Sequence, residues 1–503
     1  MSLSSQDLED SASSTKKKTS LFSWFAKKKE TKSFLYQFVI FFLLCCSYSI
    51  LRNLKDTLIL TASPAGAEII PFLKVWGILP AAFFATWLFT KLCNIFKRET
   101  IFYVTIFCFL TFYLFFAFVI YPNAKNFHLY DLANTLSESL PRGFSGAIAM
   151  MKYWVFSLFY VISEIWSSLV LTVLFWGFVN DVTSVSQAKR LYGVLNIGSN
   201  VAPIVAGSVA VYFVNKVNLS FLLGSKGDAM EDSLTKLILL ISLFGFLACI
   251  LFYRLNRLYD SDKNLNDKKE KTPEKNKEKI TLLGSLRFIV KSPYLFSIAI
   301  LVLAFNASIN FTDILWKSQL KDFFQGDSSA ILIHMNQVTI AIGVVSTLVS
   351  FLFTWIIKKI GWYGTALLTP LSMAITAVGF FLMYFGRKYF IHESFTFFSL
   401  APLALLVYLG SLQNCLSKAG KYSVFDATKE IAFLKRDSLT RLKAKSAIDG
   451  LGSGFGKSGS SLSYQVLLIF FGSLSSAAPV IAVILFFLLF AWFLAIKTIS
   501  KEH

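Results

Sequence analysis

The stretch SYSILRNLKDTLILTA, residues 47–62, places Arg52, Lys55 and Asp56 inside an otherwise apolar run. That run continues back through FLYQFVIFFLLCC, residues 34–46. It is therefore longer than the ~20 residues a helix needs to cross a hydrocarbon core. An ionised side chain at the centre of such a span costs about 2.5–3.5 kcal/mol even on the mildest scales, and by default it marks a substrate or ion path. Lys74, Glu164, Asp313 and Lys457 stand in or beside similar runs. Together these residues are the candidate site.

Composition fixes the class. The chain has 503 residues, of which 55% are hydrophobic and only 16% charged, and Phe alone occurs 53 times. A soluble domain carries about 25% charge. Apolar runs recur at about 34–60, 68–90, 100–121, 153–179, 191–214, 235–255, 293–316, 331–357, 363–385, 397–416, 447–475 and 478–497. Backbone groups in lipid must be satisfied within the segment, and none of these runs alternates with the two-residue period of a barrel strand, so they are expected to be helices. The expected fold is an all-α polytopic membrane protein with twelve transmembrane helices.

Lysine and arginine set the orientation. Basic residues gather in the tail before the first run, and after runs 2, 4, 6, 8 and 10, most densely in DKKEKTPEKNKEK at 267–279. The positive-inside rule then puts both termini in the cytoplasm. The net charge of +20 follows mainly from this asymmetry, so nucleic acid is not the expected partner. The polar, Lys/Glu-rich stretch around 256–285 has the composition of a flexible linker. The expected organisation is a disordered basic tail (1–33), an N-terminal six-helix bundle (34–255), a cytoplasmic linker (256–292) and a C-terminal six-helix bundle (293–503).

The two halves echo one another. Asn53, Asp56 and Leu58 in run 1 align with Asn310, Asp313 and Leu315 in run 7. Runs 5 and 11 both begin near an Ala-Lys pair and continue into small residues, NIGSNVAPIVAG (196–207) and GLGSGFGKSGSS (450–461). Two parallel six-helix repeats are the expected architecture, as in major-facilitator transporters.

Each charged position has a structural and a functional reading. Arg52 and Asp56 are one turn apart on a helix, as are Arg52 and Lys55. Two cations with one carboxylate suit phosphate oxygens, although long basic side chains near a span end also snorkel to the interface. Glu164 lies deep in its run and needs a basic partner from another helix or a bound proton. Asp313 has Lys317 at i+4 and Asn306 and Asn310 nearby. AIDGLGSGFGKSGSS (447–461) fails as a phosphate-binding loop: Leu451 occupies the first required glycine position. It is better read as a close-packing glycine-rich helix that carries Lys457 towards a central cavity. Asn196 and Asn200 suit either base recognition or helix packing. Trp166, Trp176 and Trp316 suit base stacking or, more simply, core packing. The six cysteines and four histidines have no metal-ligand spacing, and no metal or cofactor is expected. Several deep cations suit a polyanion, which a sugar or neutral amino acid would not require.

These residues also carry a family likeness. LRNLKDTLIL (51–60), GAEIIPFLKVWGILP (66–80), SEIWSSLVLTVLFWGFVND (163–181), SINFTDILWKSQLK (308–321), FDATKEIAFL (425–434) and AKSAIDGLGSGFGKSGSSL (444–462) occur in order. They resemble the ATP/ADP translocase family of obligate intracellular bacteria and plastids. The resemblance implies a secondary nucleotide transporter, not an enzyme, in the inner membrane of an intracellular bacterium. It implies functional roles for Lys55, Glu164, Asp313 and Lys457. The family more often has glutamate at the Asp313 position, and its first motif often reads Arg-Asp where Asn53 follows Arg52 here. ATP/ADP exchange is the expected activity. Proton-coupled import of several nucleotides, or exchange of NAD, is the alternative on the same fold. The expected substrate-binding set is Lys55, Arg52, Lys457, Glu164, Asp313, Asp56, Asn196, Asn200 and Lys74. Lys55, Arg52 and Lys457 are expected to bind phosphates, and Glu164 and Asp313 to pair with the two lysines in the empty state and to yield them to substrate. The two complete halves make a monomer sufficient.

Overall fold

The computed structural model describes residues 28–62, 64–183, 185–217, 228–263, 289–390, 401–436, 440–441, 444–445, 448 and 453–502, and among them every regular element is helical. Helix α1 is Lys28–Ala62. It is followed by α2, Gly66–Ile95, α3, Arg98–Ile120, and α4, Trp154–Val182. Then come α5, Val185–Lys216, α6, Ala229–Lys263, and α7, Pro293–Phe323. The helical stretch Ser328–Phe390 turns at Gly361, whose φ of +69° divides it into α8 and α9. Helix α10, Pro402–Gly420, continues through a wide turn at Lys421–Phe425 into Asp426–Leu434. The last two are α11, Ser453–Phe471, and α12, Leu474–Ser500.

Nine helices among the described residues are long and apolar enough to cross a bilayer, and one of these, Ser328–Arg387, is 60 residues long. At 1.5 Å per residue it would measure about 90 Å if straight, room for two crossings. Helices α10 and α11 are less apolar for a clear reason: they carry Gln413, Asn414 and Lys418, and Lys457 among glycines and serines. Helix α1 begins earlier than residue 34, and α6 runs past residue 255 to Lys263, fastened where Tyr259 Oη accepts from Gln37 Nε2 at 2.8 Å. Residues 1–27 of the tail and 264–288 of the linker lie outside the described residues.

Helix α1 packs on α4, α5 and α6, and α7 packs on α10, α11 and α12. The two bundles meet through α5 with α8, α1 with α7 and α8, and α2 with α11. At the α5–α8 seam a Cβ on Gly343 would stand 2.5 Å from Ile204 Cγ1 and 3.1 Å from the Asn200 carbonyl oxygen. The missing side chain is what lets these backbones approach.

Most polar contacts between the bundles gather towards one end of the molecule. Asn53 Nδ2 donates to Asn336 Oδ1 and Thr339 Oγ1, both at 2.9 Å. Gln465 Nε2 donates to the Pro71 carbonyl at 3.0 Å, Leu474 N to Glu68 Oε1 at 3.1 Å, and Lys321 Nζ to the Pro64 carbonyl at 3.2 Å. These residues lie at the end of α1, the start of α2, the ends of α7 and α11 and the starts of α8 and α12. That face is sealed. Towards the opposite face, where α1 begins and α12 ends, Lys457 and Tyr422 are exposed and Glu164 is partly so, and these side chains mark a solvent-accessible chamber between the bundles.

Gly343→Leu is expected to force α5 and α8 apart and to cost about 1–3 kcal/mol, as overpacking does. Gly177→Ala, where a Cβ meets nothing within 4 Å, should leave stability unchanged. Thermal unfolding of the two detergent-solubilised variants checks the contrast.

Candidate functional site

The chamber wall is built where regular helices loosen. Lys74 lies within the wide turn Leu73–Ile78 of α2, Glu164 just precedes the wide turn Trp166–Phe175 of α4, and Lys421 opens the wide turn after α10. Such π-type turns shift the side-chain register of a helix and are frequent at functional sites. Here they bring three charged side chains towards the same interior.

A chain of alternating charge crosses from one bundle to the other. Glu164 Oε2 of α4 lies 3.3 Å from Lys55 Nζ of α1, which lies 3.1 Å from Asp56 Oδ1. Asp56 Oδ2 is 2.8 Å from Lys317 Nζ of α7. Lys317 Nζ is also 2.6 Å from Asp313 Oδ2, and Asp313 Oδ1 is 3.0 Å from Lys418 Nζ of α10. Asn414 Nδ2 adds a hydrogen bond to Asp313 Oδ1 at 2.7 Å. Lys55 also sits 3.7 Å from the centroid of the Tyr160 ring, a cation–π contact. Three carboxylates and three ammonium groups neutralise one another. The interior links are nearly sealed from solvent, with Asp56 and Lys317 side chains 5% exposed, whereas Glu164 at the chamber end is 28% exposed.

Four further cations border the chamber without a carboxylate within salt-bridge distance among the described residues: Arg52, Lys74, Lys421 and Lys457. Arg52 Nη2 reaches only the Thr339 hydroxyl, at 3.4 Å. Lys74 Nζ donates to Asn310 Oδ1, whose Nδ2 in turn donates to Ser460 Oγ at 2.8 Å and Ser461 Oγ at 3.0 Å on α11. Lys457 is exposed and stands within electrostatic reach of Glu164, Lys421 and Tyr422. Glu164 in turn feels Lys55, Lys457 and Lys74. Lys457 and Lys74 thus both act on Glu164, and Lys421 on Lys457. Tyr422, 43% exposed, lies among Arg52, Lys418, Lys421 and Lys457.

The expected residues fare as follows. Lys55, Asp56, Glu164 and Asp313 join the charged chain, while Arg52, Lys74 and Lys457 border the chamber. The Glu164–Lys55 pair matches expectation. Asp313 does not pair with Lys55 or Lys457; its partners are Lys317, the i+4 neighbour of its structural reading, and Lys418. Those two are closer because Lys317 is one turn away on α7 and α10 packs directly on α7. Asn200 Nδ2 reaches Ser350 Oγ of α8 at 3.4 Å, so it serves the α5–α8 seam. Asn196, one turn earlier, is exposed. Trp166 and Trp316 are buried and donate to the Leu44 carbonyl and Ser411 Oγ, so both pack rather than face a ligand. The glycine-rich segment packs closely on α7, with a Cβ on Gly456 only 2.8 Å from Asn306 Cβ.

Sequence reasoning gave Lys418 and Lys421 to a cytoplasmic loop and did not single out Tyr160, Asn414 or Tyr422. Hydropathy ends run 10 near residue 416, yet the helix continues. The missed signal is the i, i+4 spacing of Asn414 and Lys418, which places both on one face. Two recesses lie elsewhere. One of ≈ 580 Å³ sits at the sealed face beside His128, Tyr153 and Glu231. The other, ≈ 220 Å³, is lined by Phe89, Phe102 and Phe252. Neither is lined by the charged chain.

The chain is similar to known proteins over nearly its whole length. The family model described as TLC ATP/ADP transporter matches residues 9–503. ADP,ATP carrier protein 1 of Chlamydia muridarum is 37% identical over 486 residues, covering 95% of this chain and 90% of the relative. The plastidic ATP/ADP-transporter of Solanum tuberosum is 38% identical over 464 residues, covering 92% and 72%. Among solved structures, the nucleoside transporter NupG superposes with a TM-score of 0.52 at 15% identity, covering 92% of this chain and 99% of that one. A D-xylose-proton symporter superposes with a TM-score of 0.52 at 14% identity, covering 94% and 97%. These neighbours establish a major-facilitator-like fold. The chain belongs to the TLC ATP/ADP transporter family and is a multi-pass membrane protein.

Hydrophilic thiol reagents should modify Lys457→Cys markedly faster than Ser461→Cys. The first position is exposed in the chamber, and the second, one turn along α11, is 0% exposed. Equal rates would contradict the chamber geometry.

Proposed function

We propose that this member of the TLC ATP/ADP transporter family exchanges ATP for ADP across the membrane by alternating access. The carrying observation is the charge balance. The six-membered chain from Glu164 to Lys418 is internally neutral, which leaves Arg52, Lys74, Lys421 and Lys457 to meet a polyanion. A nucleoside triphosphate or diphosphate supplies that charge in a compact string of phosphates. Arg forks bind phosphate oxygens bidentately, and Lys binds them as a point charge.

Binding would proceed from the open face. Phosphates would first meet Lys457, Lys421 and Arg52. Lys55 would then trade Glu164 for a phosphate oxygen, because Glu164 is the exposed end of the chain and has one ammonium partner where Asp56 and Asp313 each have two. The two bundles then rock about the loaded site. The triphosphate carries more charge than the diphosphate, so exchange is sensitive to membrane voltage at ~2.3 kcal/mol per charge per 100 mV. The reading is of a transporter rather than an enzyme, with twelve crossings and cytoplasmic termini, acting as a monomer. The Chlamydia relatives favour the inner membrane of an intracellular bacterium. Proton-coupled import is the alternative, and the singly paired, partly exposed Glu164 is its proton site.

Labelled-nucleotide uptake into reconstituted liposomes separates the two. Exchange predicts ATP uptake that requires internal ADP and ignores an imposed pH gradient. Uptake that follows the gradient with no internal nucleotide would reject it. A charged hydrogen bond contributes about 1.5–3 kcal/mol, so Lys55→Gln and Lys457→Gln should each weaken ATP affinity about tenfold or more. Unchanged affinity in both, in folded protein, would remove the phosphate-binding assignment.

A further inference from the structure

We propose that Lys317 is the positioning residue that makes exchange obligatory, because its ion pair with Asp56 latches the sealed face of the empty carrier. The inference rests on the exchange reading above and assigns it a coupling residue.

The charged chain crosses between the bundles at one link only, Asp56–Lys317 at 2.8 Å. Every other link lies within a bundle. Lys55 and Asp56 are neighbours on α1, and Glu164 belongs to the same bundle. Asp313 and Lys317 are i, i+4 on α7, and Lys418 belongs to the bundle of α7. The link lies with the other contacts that close this face. Asn53, one turn before Asp56, bonds across the seam to Asn336 and Thr339, and Thr57 Oγ1 reaches Met335 Sδ at 3.7 Å.

Opening the sealed face must draw α1 away from α7 and break this link. Asp56 would keep Lys55, and Lys317 would keep Asp313, so neither charge is stranded. The cross-bundle attraction is still lost in a nearly dry interior, where it is strong. A phosphate in the chamber changes the balance, because Lys317 can exchange the Asp56 carboxylate for a phosphate oxygen as the seam parts. The nucleotide then gains a contact in the open state that it lacks in the closed one. That differential contact is what allows a ligand to shift a conformational equilibrium. An empty carrier has nothing to offer Lys317 and stays latched, so the site returns only when loaded.

The double variant Asp56→Asn/Lys317→Gln removes both sides of the latch. It leaves the Glu164–Lys55 and Asp313–Lys418 pairs in place and the net charge of the chain unchanged. The distance between spin labels at Ala62 and Asp322, near the sealed-face ends of α1 and α7, is measured without nucleotide, with Cys93, Cys108 and Cys249 replaced by serine. The parent should show one short-distance population, and the double variant should add a longer one. An unchanged distribution overturns the latch. In liposomes lacking internal nucleotide, the variant should take up ATP about tenfold faster or more relative to the parent; unchanged, ADP-dependent uptake at the parental rate also overturns it. If the parent fails to exchange ATP for ADP, the proposed function falls, while the distance measurement still decides the latch.

Discussion

Ionised groups removed from water must be compensated by one another, and this constraint organises the molecule. Asp56 and Lys317 are each 5% exposed at the side chain and 2.8 Å apart. Left alone, either would carry a desolvation cost of several kcal/mol. Their pairing fixes how closely α1 and α7 approach, and those two helices are the innermost members of their bundles. Glu164, Lys55, Asp313 and Lys418 extend the pairing outward on both sides. The arrangement is one of strict alternation, so no two like charges are direct neighbours in the chain.

A neutral chain has a consequence for the cations that it does not absorb. Of the cations that border the open chamber, Arg52 meets a hydroxyl, Lys74 an amide and Lys421 the Phe305 and Tyr422 rings, and Lys457 is exposed. An open, wet site tolerates them where the seam would not. The same polarity explains why α10 and α11 are not among the nine most evidently apolar spans: lining the chamber excuses them from meeting lipid along part of their surface. Wide turns at Leu73–Ile78 and Lys421–Phe425 bring Lys74 and Lys421 into register with the rest.

Much of this was legible in the sequence. Long apolar runs announce helices because the backbone has no alternative in lipid. Lys55, Asp56, Glu164 and Asp313 stood out because charge is rare there, and the match of Asp56 with Asp313 pointed to two equivalent helices at the centre. The partners were legible only in part. Lys317 stands at i+4 from Asp313 on the same helix and shows in the sequence, whereas Lys418 reaches Asp313 because α10 lies against α7, and lateral helix placement leaves no periodic trace in one sequence. Lys418 and Lys421 were hidden by hydropathy averaging, which ends a span where polar residues begin even when the helix goes on. Asn200 carried two readings of equal weight, and its hydrogen bond to Ser350 favours the packing one.

The most direct test of the central claim is a cryo-electron microscopy map of the ATP-bound protein in lipid nanodiscs. The account predicts triphosphate density in the chamber within hydrogen-bonding distance of Lys457, Lys421 and Arg52, with Asp313 still held by Lys418. Triphosphate density remote from these cations, or an empty chamber with nucleotide bound elsewhere, would contradict it.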